Sequence, residues 1–198
     1  MKQDLTQVAT VEELDAEWTK NELVYYWYLR HHYQAVEQYL VGSVLDIGCG
    51  PGYLAARVKP NEGMYTGVDI SPKAIEIARK LFPGAAFYVH DVEHTPLPFA
   101  DRSFDTIVAS EMLEHLQTHE LLLSEIRRCA RTYIVITTPI SMGGVGHIWA
   151  QWTYQDCVEK FGGLGSFIEI RRFFEPPGTF NLCYIRAGAP PTKEQLLR

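Results

Sequence analysis

The feature that most constrains the fold is a short apolar run that ends at three closely spaced glycines. Ser43–Ile47 is followed at once by Gly48, Gly50 and Gly52. Such a run is typical of a buried strand, and glycines behind it permit a tight turn and a close approach of backbone to ligand. The spacing predicts a helix over Leu54–Val58. We therefore expect the core to begin with a strand, a turn and a helix.

Strands and helices alternate along the rest of the chain. Further strands are predicted over Met64–Asp69, Ala86–His90, Phe104–Ser110, Tyr133–Thr137, Ser166–Phe173 and Phe180–Arg186. Helices are predicted over 12–40, over 119–130, from Thr153 to Gly162, and from Pro72 to Pro83. The last of these follows an N-cap at Ser71 and has Ile75, Ala78 and Leu81 on one face. This alternation implies right-handed βαβ units and a parallel sheet covered on both faces. Ligands bind such sheets beyond the carboxyl ends of the strands.

Acidic residues stand at the ends of the first three predicted strands. Asp46 precedes Gly48 by two residues, Asp69 ends the second strand, and Asp91 follows the third. A carboxylate before the glycines opposes a pyrophosphate but suits a ligand with a cationic end, such as S-adenosylmethionine. Asp69 can accept hydrogen bonds from both hydroxyls of a ribose, and Asp91 can accept from an adenine amino group. Tyr53 stands where a dinucleotide fingerprint needs its third glycine, which disfavours an NAD-dependent oxidoreductase.

Four segments resemble the motifs of the class I S-adenosylmethionine-dependent methyltransferases: VLDIGCGPG, GVDIS, HDVEHTPLPF and FDTIVASEMLEHL, between residue 44 and about 116. The resemblance implies a Rossmann-like three-layer α/β sandwich whose seven-stranded sheet is mostly parallel, with the last strand antiparallel. The implied cofactor is S-adenosylmethionine. The residues expected to bind it are Tyr25, Asp46, Gly48, Cys49, Gly50, Gly52, Asp69, Ile70, Asp91, Val92 and Ser110.

We expect a single methyltransferase domain over 1–198. An N-terminal helical lid is expected over 1–42, the cofactor-binding core over 43–139, and acceptor-side loops with closing strands over 140–198. Loops beyond the strand ends carry the specificity of such folds, so the acceptor pocket is expected in the last part.

Candidate catalytic groups follow the fourth strand. Glu111, His115 and His147 are the catalytic candidates. If residues 111–115 were helical, Glu111, Glu114 and His115 would share a face and could bind a divalent metal, a pattern that resembles metal-dependent O-methyltransferases. The alternative, which we favour, is that Glu111 lines the cofactor cleft while Glu114 and His115 make structural hydrogen bonds.

Charge and composition limit the classes of partner and the compartment that we expect. The formal net charge of −6 repels phosphate backbones, so long nucleic acid is not an expected partner. Four scattered cysteines fit a reducing compartment, and no secretory segment or run of about 20 apolar residues is evident, so a soluble, cytoplasmic protein is expected. The oligomeric state is not constrained.

The predicted function is methyl transfer to a small-molecule acceptor, with O-methylation preferred. Three alternatives stay open: a metal-dependent 2′-O-methyltransferase of RNA ends, a non-catalytic S-adenosylmethionine-binding protein and, least favoured, an NAD-dependent oxidoreductase. A hydroxyl acceptor needs a base or a metal to help remove its proton.

Overall fold

The computed structural model describes residues 10–20, 32–58, 64–140, 152–175 and 178–187. Tyr25 and His147 lie outside these ranges. Seven strands are present in the described part: β1 Val44–Ile47, β2 Tyr65–Asp69, β3 Ala86–Val89, β4 Phe104–Ser110, β5 Ala130–Pro139, β6 Gly165–Glu175 and β7 Gly178–Ala187. Its helical segments are α1 Val11–Lys20, α2 over 32–37, α3 Pro72–Leu81, α4 Glu120–Cys129 and α5 Tyr154–Phe161. None of these helices is long and apolar enough to cross a membrane.

The strands form one sheet in the order β3-β2-β1-β4-β5-β7-β6. Strands β1 to β5 pair in parallel, and β7 lies antiparallel between β5 and β6. This confirms the predicted Rossmann-like α/β fold with an antiparallel last strand. The chain extends the sheet from β1 to β3 on one side and then places β4 on the other side of β1. The carboxyl ends of β1 and β4 therefore meet at the switch in strand order, where open α/β sheets bind ligands.

The two faces of the sheet carry separate apolar clusters because neighbouring strand residues point to opposite sides. On one face, Ile107 shares a cluster with Ile126 of α4 and Phe161 of α5. On the other face, Val108 shares a cluster with Ile75 of α3 and with residues of α2. All five named side chains are fully buried. The sheet is thus the middle layer of a three-layer sandwich.

Two helices begin at the predicted caps. The Ser71 hydroxyl accepts from the Ala74 amide at 2.9 Å, and Pro72 takes the first helical position of α3. At α5, Thr153 and Asp156 form a reciprocal capping box, in which each side chain accepts from the other residue's amide. These bonds satisfy amides that a helix leaves without partners at its start.

Two local predictions are wrong. Leu81 is 46% exposed and does not share the buried face of Ile75, because two steps of three residues rotate a helical position by about 120°. The helix predicted over Leu54–Val58 is instead a 3₁₀ turn at Tyr53–Ala56. The left-handed Gly52 fixes the entry of the chain there, and its carbonyl accepts from the amide three residues on, which starts the tighter helix.

Candidate functional site

The candidate site lies at the switch in strand order, where β1 leads into the turn 48–52. The amides of Gly48 and Cys49 both donate to the Val68 carbonyl of β2, at 2.8 and 3.0 Å. The Gly52 amide donates to the Cys49 carbonyl at 2.9 Å and closes the turn. These bonds hold the turn against the neighbouring strand, so its backbone lies at the carboxyl edge of the sheet.

Glycine is required in this turn by the protein's own backbone and packing. Gly48 and Gly52 adopt left-handed φ values of 71° and 76°. A Cβ atom would lie 2.8 Å from the Met112 Cβ at position 48 and 2.7 Å from the Phe87 ring at position 52. The glycines therefore let the turn pack closely on its neighbours, besides leaving its backbone open to a ligand.

Replacing Gly52 with alanine is expected to lower the free energy of unfolding by about 1–3 kcal/mol, since it combines left-handed strain with a clash against Phe87. Gly84→Ala is the matched control, because a Cβ there meets no atom within 4 Å. That control should change stability by no more than about 0.5 kcal/mol. Urea unfolding of both variants measures the difference, and equal losses would contradict this account of the turn.

Asp69, at the end of β2, connects the glycine turn to the start of α3. Its Oδ2 accepts from the Gly50 amide at 2.8 Å, and its Oδ1 accepts from the Ser71 amide at 2.9 Å. Burial raises the pKa of this carboxyl, and the two amides work in the opposite direction. The side chain is thus fixed at the carboxyl edge of the sheet, directly beside the turn.

An acidic residue that the sequence interpretation overlooked lies next to Asp69. Asp15 of α1 accepts a hydrogen bond from the Ser71 hydroxyl and a longer one, 3.3 Å, from the Lys73 amide. Its charge adds to the raised pKa of Asp69. Ile70, predicted to contact a cofactor, stands on the same rim with 37% of its surface exposed. α1 therefore borders the place where a ribose is predicted.

Asp46 is buried beneath the turn. Only 2% of its surface is exposed, and the Tyr65 hydroxyl donates a hydrogen bond to its carboxylate. Burial raises its pKa to about 7; the Tyr65 hydrogen bond lowers this value, and the neighbouring Asp69 raises it. Near neutral pH this carboxyl is therefore close to the midpoint of its titration.

Cys49 directs its side chain into the protein. Its thiol is 1% exposed and lies against Gly67 of β2, where a Cβ would be 2.7 Å from the sulfur. Burial raises the pKa of the thiol well above its usual value. Any contact of Cys49 with a cofactor is consequently made by its backbone.

Asp91 caps the turn that follows β3. Its Oδ1 accepts from the amides of Glu93 and His94 at 3.0 and 3.2 Å, and its Oδ2 lies 2.9 Å from His94 Nδ1. Partial burial acts to raise the pKa of Asp91, but these contacts outweigh it and hold the pKa below its usual value. The next residue, Val92, is 8% exposed and belongs to the core. Contacts of this pair with an adenine stay a prediction.

Hydroxyl groups and a carboxylate meet at the ends of β4 and β5. Ser110 Oγ lies 2.9 Å from Thr137 Oγ1, which also accepts from the Glu111 amide at 3.0 Å. Glu111 has a left-handed φ of 50°, which is unusual for a residue with a side chain. Such strain persists only where the surroundings hold it, and it is concentrated at functional sites.

His32 of α2 joins this group and was not predicted from the sequence. Its Nε2 lies 3.1 Å from Thr137 Oγ1 and 3.3 Å from Glu111 Oε1. The imidazole is buried and its ring centroid is 3.6 Å from that of Phe180. No local pattern reveals this contact, because 105 residues separate His32 from Thr137.

The side chains named for the metal-binding alternative are not arranged as that alternative assumed. Leu113–His115 is a 3₁₀ turn, and the left-handed Glu111 lies outside it, so the α-helical face assumed for Glu111, Glu114 and His115 does not exist. Within the described residues, no three His, Cys, Asp or Glu side chains are arranged to hold a metal ion.

Glu114 is instead part of the interior. It is fully buried, and neither carboxyl oxygen has a hydrogen-bond partner among the described residues. Burial, followed by the charge of Glu111, raises the pKa of Glu114 well above its usual value. The interior position therefore favours the protonated carboxyl, and the expected structural hydrogen bond of Glu114 is not observed among the described residues.

Comparisons with known proteins identify the same part of the chain. Residues 45–133 match the family model of a methyltransferase domain. Malonyl-acyl-carrier-protein O-methyltransferase of Hamiltonella defensa is 25% identical over 67% of this chain and 51% of its own length. The mitochondrial ubiquinone biosynthesis O-methyltransferase of Schizosaccharomyces pombe is 34% identical over 50% of this chain and 38% of its own. The chain thus spans about half, or less, of the length of these relatives.

Solved structures share the fold over a larger part of the chain. The methyltransferase bound to the Trm112 activator of Haloferax volcanii has a TM-score of 0.68 and 20% identity, covering 89% of this chain and 98% of that one. A TehB-like S-adenosylmethionine-dependent methyltransferase of Corynebacterium glutamicum has a TM-score of 0.61 and 20% identity, covering 89% and 97%. At these identities the likeness is one of fold.

Proposed function

We propose that this chain, which belongs to the class I S-adenosylmethionine-dependent methyltransferases, methylates a hydroxyl group of a small-molecule acceptor. The observation that carries the proposal is the placement of three groups at one edge of the sheet. The glycine turn 48–52 follows β1, Asp69 ends β2, and Glu111 follows β4. The glycine turn and Asp69 are suited to bind an adenosine that carries a cationic end. Glu111 is suited to accept the proton of an acceptor hydroxyl.

The residues present fit S-adenosylmethionine. The carboxylate of Asp69 has about four acceptor positions, which the backbone amides around it do not fill, so it can still accept from a ribose. The left-handed turn 48–52 leaves its backbone at the edge, without side chains at its glycines. Asp46 and Asp69 lie beneath and beside the turn, and their negative field suits a sulfonium and an ammonium better than a pyrophosphate.

The reaction requires the protein to place the acceptor next to the methyl group and to remove one proton from the acceptor. When bound, S-adenosylmethionine would supply an electrophilic methyl group on a positively charged sulfur, with the neutral thioether S-adenosylhomocysteine as the leaving group. Glu111 would take the proton of the acceptor hydroxyl as that oxygen is methylated. The partly exposed hydroxyl of Ser110, held by the buried Thr137, orients the acceptor, and the buried surroundings exclude water.

The choice of oxygen as the methylated atom is supported by the relatives and by the site. Both curated relatives described above are named as O-methyltransferases. Glu111 offers a carboxylate at the place where a hydroxyl acceptor needs a base, whereas an amine or carbon that is already nucleophilic needs none. The net charge of −6 favours a small molecule over an RNA end.

Substitution of Glu111 tests the function. Glu111→Gln keeps the size of the side chain and removes its basicity, so we expect turnover to fall by roughly 10²–10⁴-fold while cofactor affinity stays within about threefold. Glu159→Gln, on the exposed side of α5, is the matched control and should leave both unchanged. Calorimetric titration measures binding, and S-adenosylhomocysteine formation across a panel of phenols, catechols and hydroxy acids measures turnover.

The outcomes separate this proposal from its alternatives. Equal turnover in Glu111→Gln and wild type would exclude Glu111 as the base. Cofactor binding without turnover across the panel would indicate a non-catalytic binding protein. Methylation of a short RNA that a chelator abolishes would indicate an RNA-end enzyme, and binding of NADH in place of S-adenosylmethionine would indicate an oxidoreductase.

A further inference from the structure

A buried histidine bridges α2 and the proposed reaction edge of the sheet. His32 comes from α2, Thr137 from β5, and Glu111 follows β4. One ring nitrogen, Nε2, lies 3.1 Å from the Thr137 hydroxyl oxygen and 3.3 Å from a carboxylate oxygen of Glu111. An ionised carboxylate only accepts hydrogen bonds, so this contact favours the tautomer that carries its hydrogen on Nε2.

The ring of His32 is held by packing as well as by polar contacts. It lies 3.6 Å, centroid to centroid, from Phe180 of β7, at an angle of 30°. Phe180 in turn stacks on Phe173 of β6 at 5.2 Å and 9°. His32 is 6% exposed. A side chain whose rotamer is locked on several sides is suited to orient another group within a fraction of an ångström.

Glu111 is the group that needs such support. Its backbone is left-handed, and its amide is held by Thr137. Its Oε1 is buried and has no hydrogen bond of regular geometry among the described residues, although His32 Nε2 is 3.3 Å away. A small movement of either side chain would therefore form or lose this hydrogen bond, and the direction of the carboxylate depends on where His32 stands.

We propose that His32 is a positioning residue that aims the Glu111 carboxylate at the acceptor hydroxyl. The proposal rests on the function proposed above, in which Glu111 takes the acceptor's proton. His32 itself does not take that proton: its Nε2–H remains on the ring, where Nε2 lies 3.1 Å from Thr137 Oγ1 and 3.3 Å from Glu111 Oε1. α2 thus contributes to the geometry of the reaction and not only to the core.

Two substitutions separate the hydrogen bond from the packing. His32→Phe keeps a ring against Phe180 and removes the Nε2–H, whereas His32→Gln keeps an N–H at the end of the side chain. Gln34→Ala, exposed on the same segment, is the matched control. The thermal midpoint of His32→Phe should stay near that of the wild type because the stacking is kept; if the variant does not fold, His32→Gln carries the comparison.

The first readout needs no acceptor. With S-adenosylmethionine labelled with ¹³C at its methyl group, we expect the bound methyl resonance of His32→Phe to move toward its position in Glu111→Gln. His32→Gln should restore most of the wild-type position. The double variant that combines His32→Phe with Glu111→Gln should show no shift beyond that of Glu111→Gln alone. A wild-type resonance in His32→Phe, or shifts that add in the double variant, would overturn the proposal.

The second readout is the rate on any acceptor found in the panel. We expect kcat to fall by roughly 10–100-fold in His32→Phe, with partial recovery in His32→Gln, while the affinity for S-adenosylmethionine changes by less than about threefold. Equal kcat in His32→Phe and wild type would overturn the proposal, as would an equal loss in both His32 variants.

A third readout distinguishes failure of this inference from failure of the proposed function. In the ligand-free protein, Glu111→Gln should shift the ring ¹⁵N resonances of His32, and Gln34→Ala should not. If the wild type does not bind S-adenosylmethionine, the proposed function fails even when these resonances respond. If it binds but the resonances are unchanged in Glu111→Gln, the pairing of His32 with Glu111 fails alone.

Discussion

Replacing Asp69 with alanine is expected to weaken binding of S-adenosylmethionine on the order of 30- to 1000-fold, or about 2–4 kcal/mol. The variant removes an acceptor for both ribose hydroxyls and also frees the amides of Gly50 and Ser71, which Asp69 now holds at 2.8 and 2.9 Å. Both losses affect the same bound state, because the turn and the ribose site share this carboxylate. Calorimetric titration of the variant measures the change.

Two further variants distinguish contact from general charge. Asp69→Asn keeps one side-chain oxygen as an acceptor, so we expect a loss smaller than that of Asp69→Ala. Asp101→Ala removes a carboxylate that is 76% exposed and pairs with Arg128, and it should leave the affinity unchanged. Unaltered binding in Asp69→Ala would refute the assignment of Asp69 to the ribose.

Replacing Asp46 with asparagine is expected to stabilise the protein above pH 7 and to weaken cofactor binding. Burial raises the pKa of Asp46 to about 7, from 3.8 for an ordinary aspartate. The folded state therefore favours the protonated carboxyl, and the penalty for ionising it grows as pH rises from about 4 to about 7 and stays constant above that. At about 1.4 kcal/mol per unit of pKa, the penalty reaches at most about 4 kcal/mol.

Urea unfolding across pH measures this stability effect. Asp46→Asn can still accept from the Tyr65 hydroxyl through its amide oxygen, so the variant should match the wild type near pH 4 and exceed it at pH 8. Asp101→Ala again serves as the exposed control and should show no gain at pH 8. A wild type that is more stable than Asp46→Asn at pH 8 would contradict the buried, raised-pKa carboxyl.

The same titration should appear in binding. In the wild type, the affinity for S-adenosylmethionine is expected to rise between pH 5.5 and 7.5, as Asp46 ionises and attracts the positive charges of the cofactor. In Asp46→Asn the affinity should be lower at pH 7.5, and its rise near pH 7 should be lost. Calorimetry at several pH values checks both, and an identical pH dependence in the two proteins would count against any role of Asp46 in binding.

The parts of the fold that depend on local chemistry could be predicted. β4 has the expected bounds Phe104–Ser110, because its apolar run is bounded on both sides by polar residues. α3 begins at the expected Ser71 cap, since the cap and the proline behind it act within one turn of helix. The glycine turn after β1 and the acids Asp46 and Asp69 were accessible for the same reason: each stands at a strand end that the local sequence indicates.

The parts that depend on distant contacts could not be predicted. The contacts of His32 with Thr137 and Glu111 join segments that are far apart in the chain. A histidine within a helical pattern does not indicate which distant residues it contacts. Glu111 has a left-handed backbone, and its amide is bound by Thr137, so it does not continue the helix that the metal-site alternative assumed. The inward direction of Cys49 likewise follows from its neighbours in space.

A crystal structure with bound S-adenosylhomocysteine tests the central claim most directly. The account predicts both ribose hydroxyls within hydrogen-bonding distance of the Asp69 carboxylate, the amino acid end over the turn 48–52, and the sulfur facing Glu111. A ligand bound elsewhere with the turn left empty, or an Asp69 side chain directed away from the sugar, would contradict it.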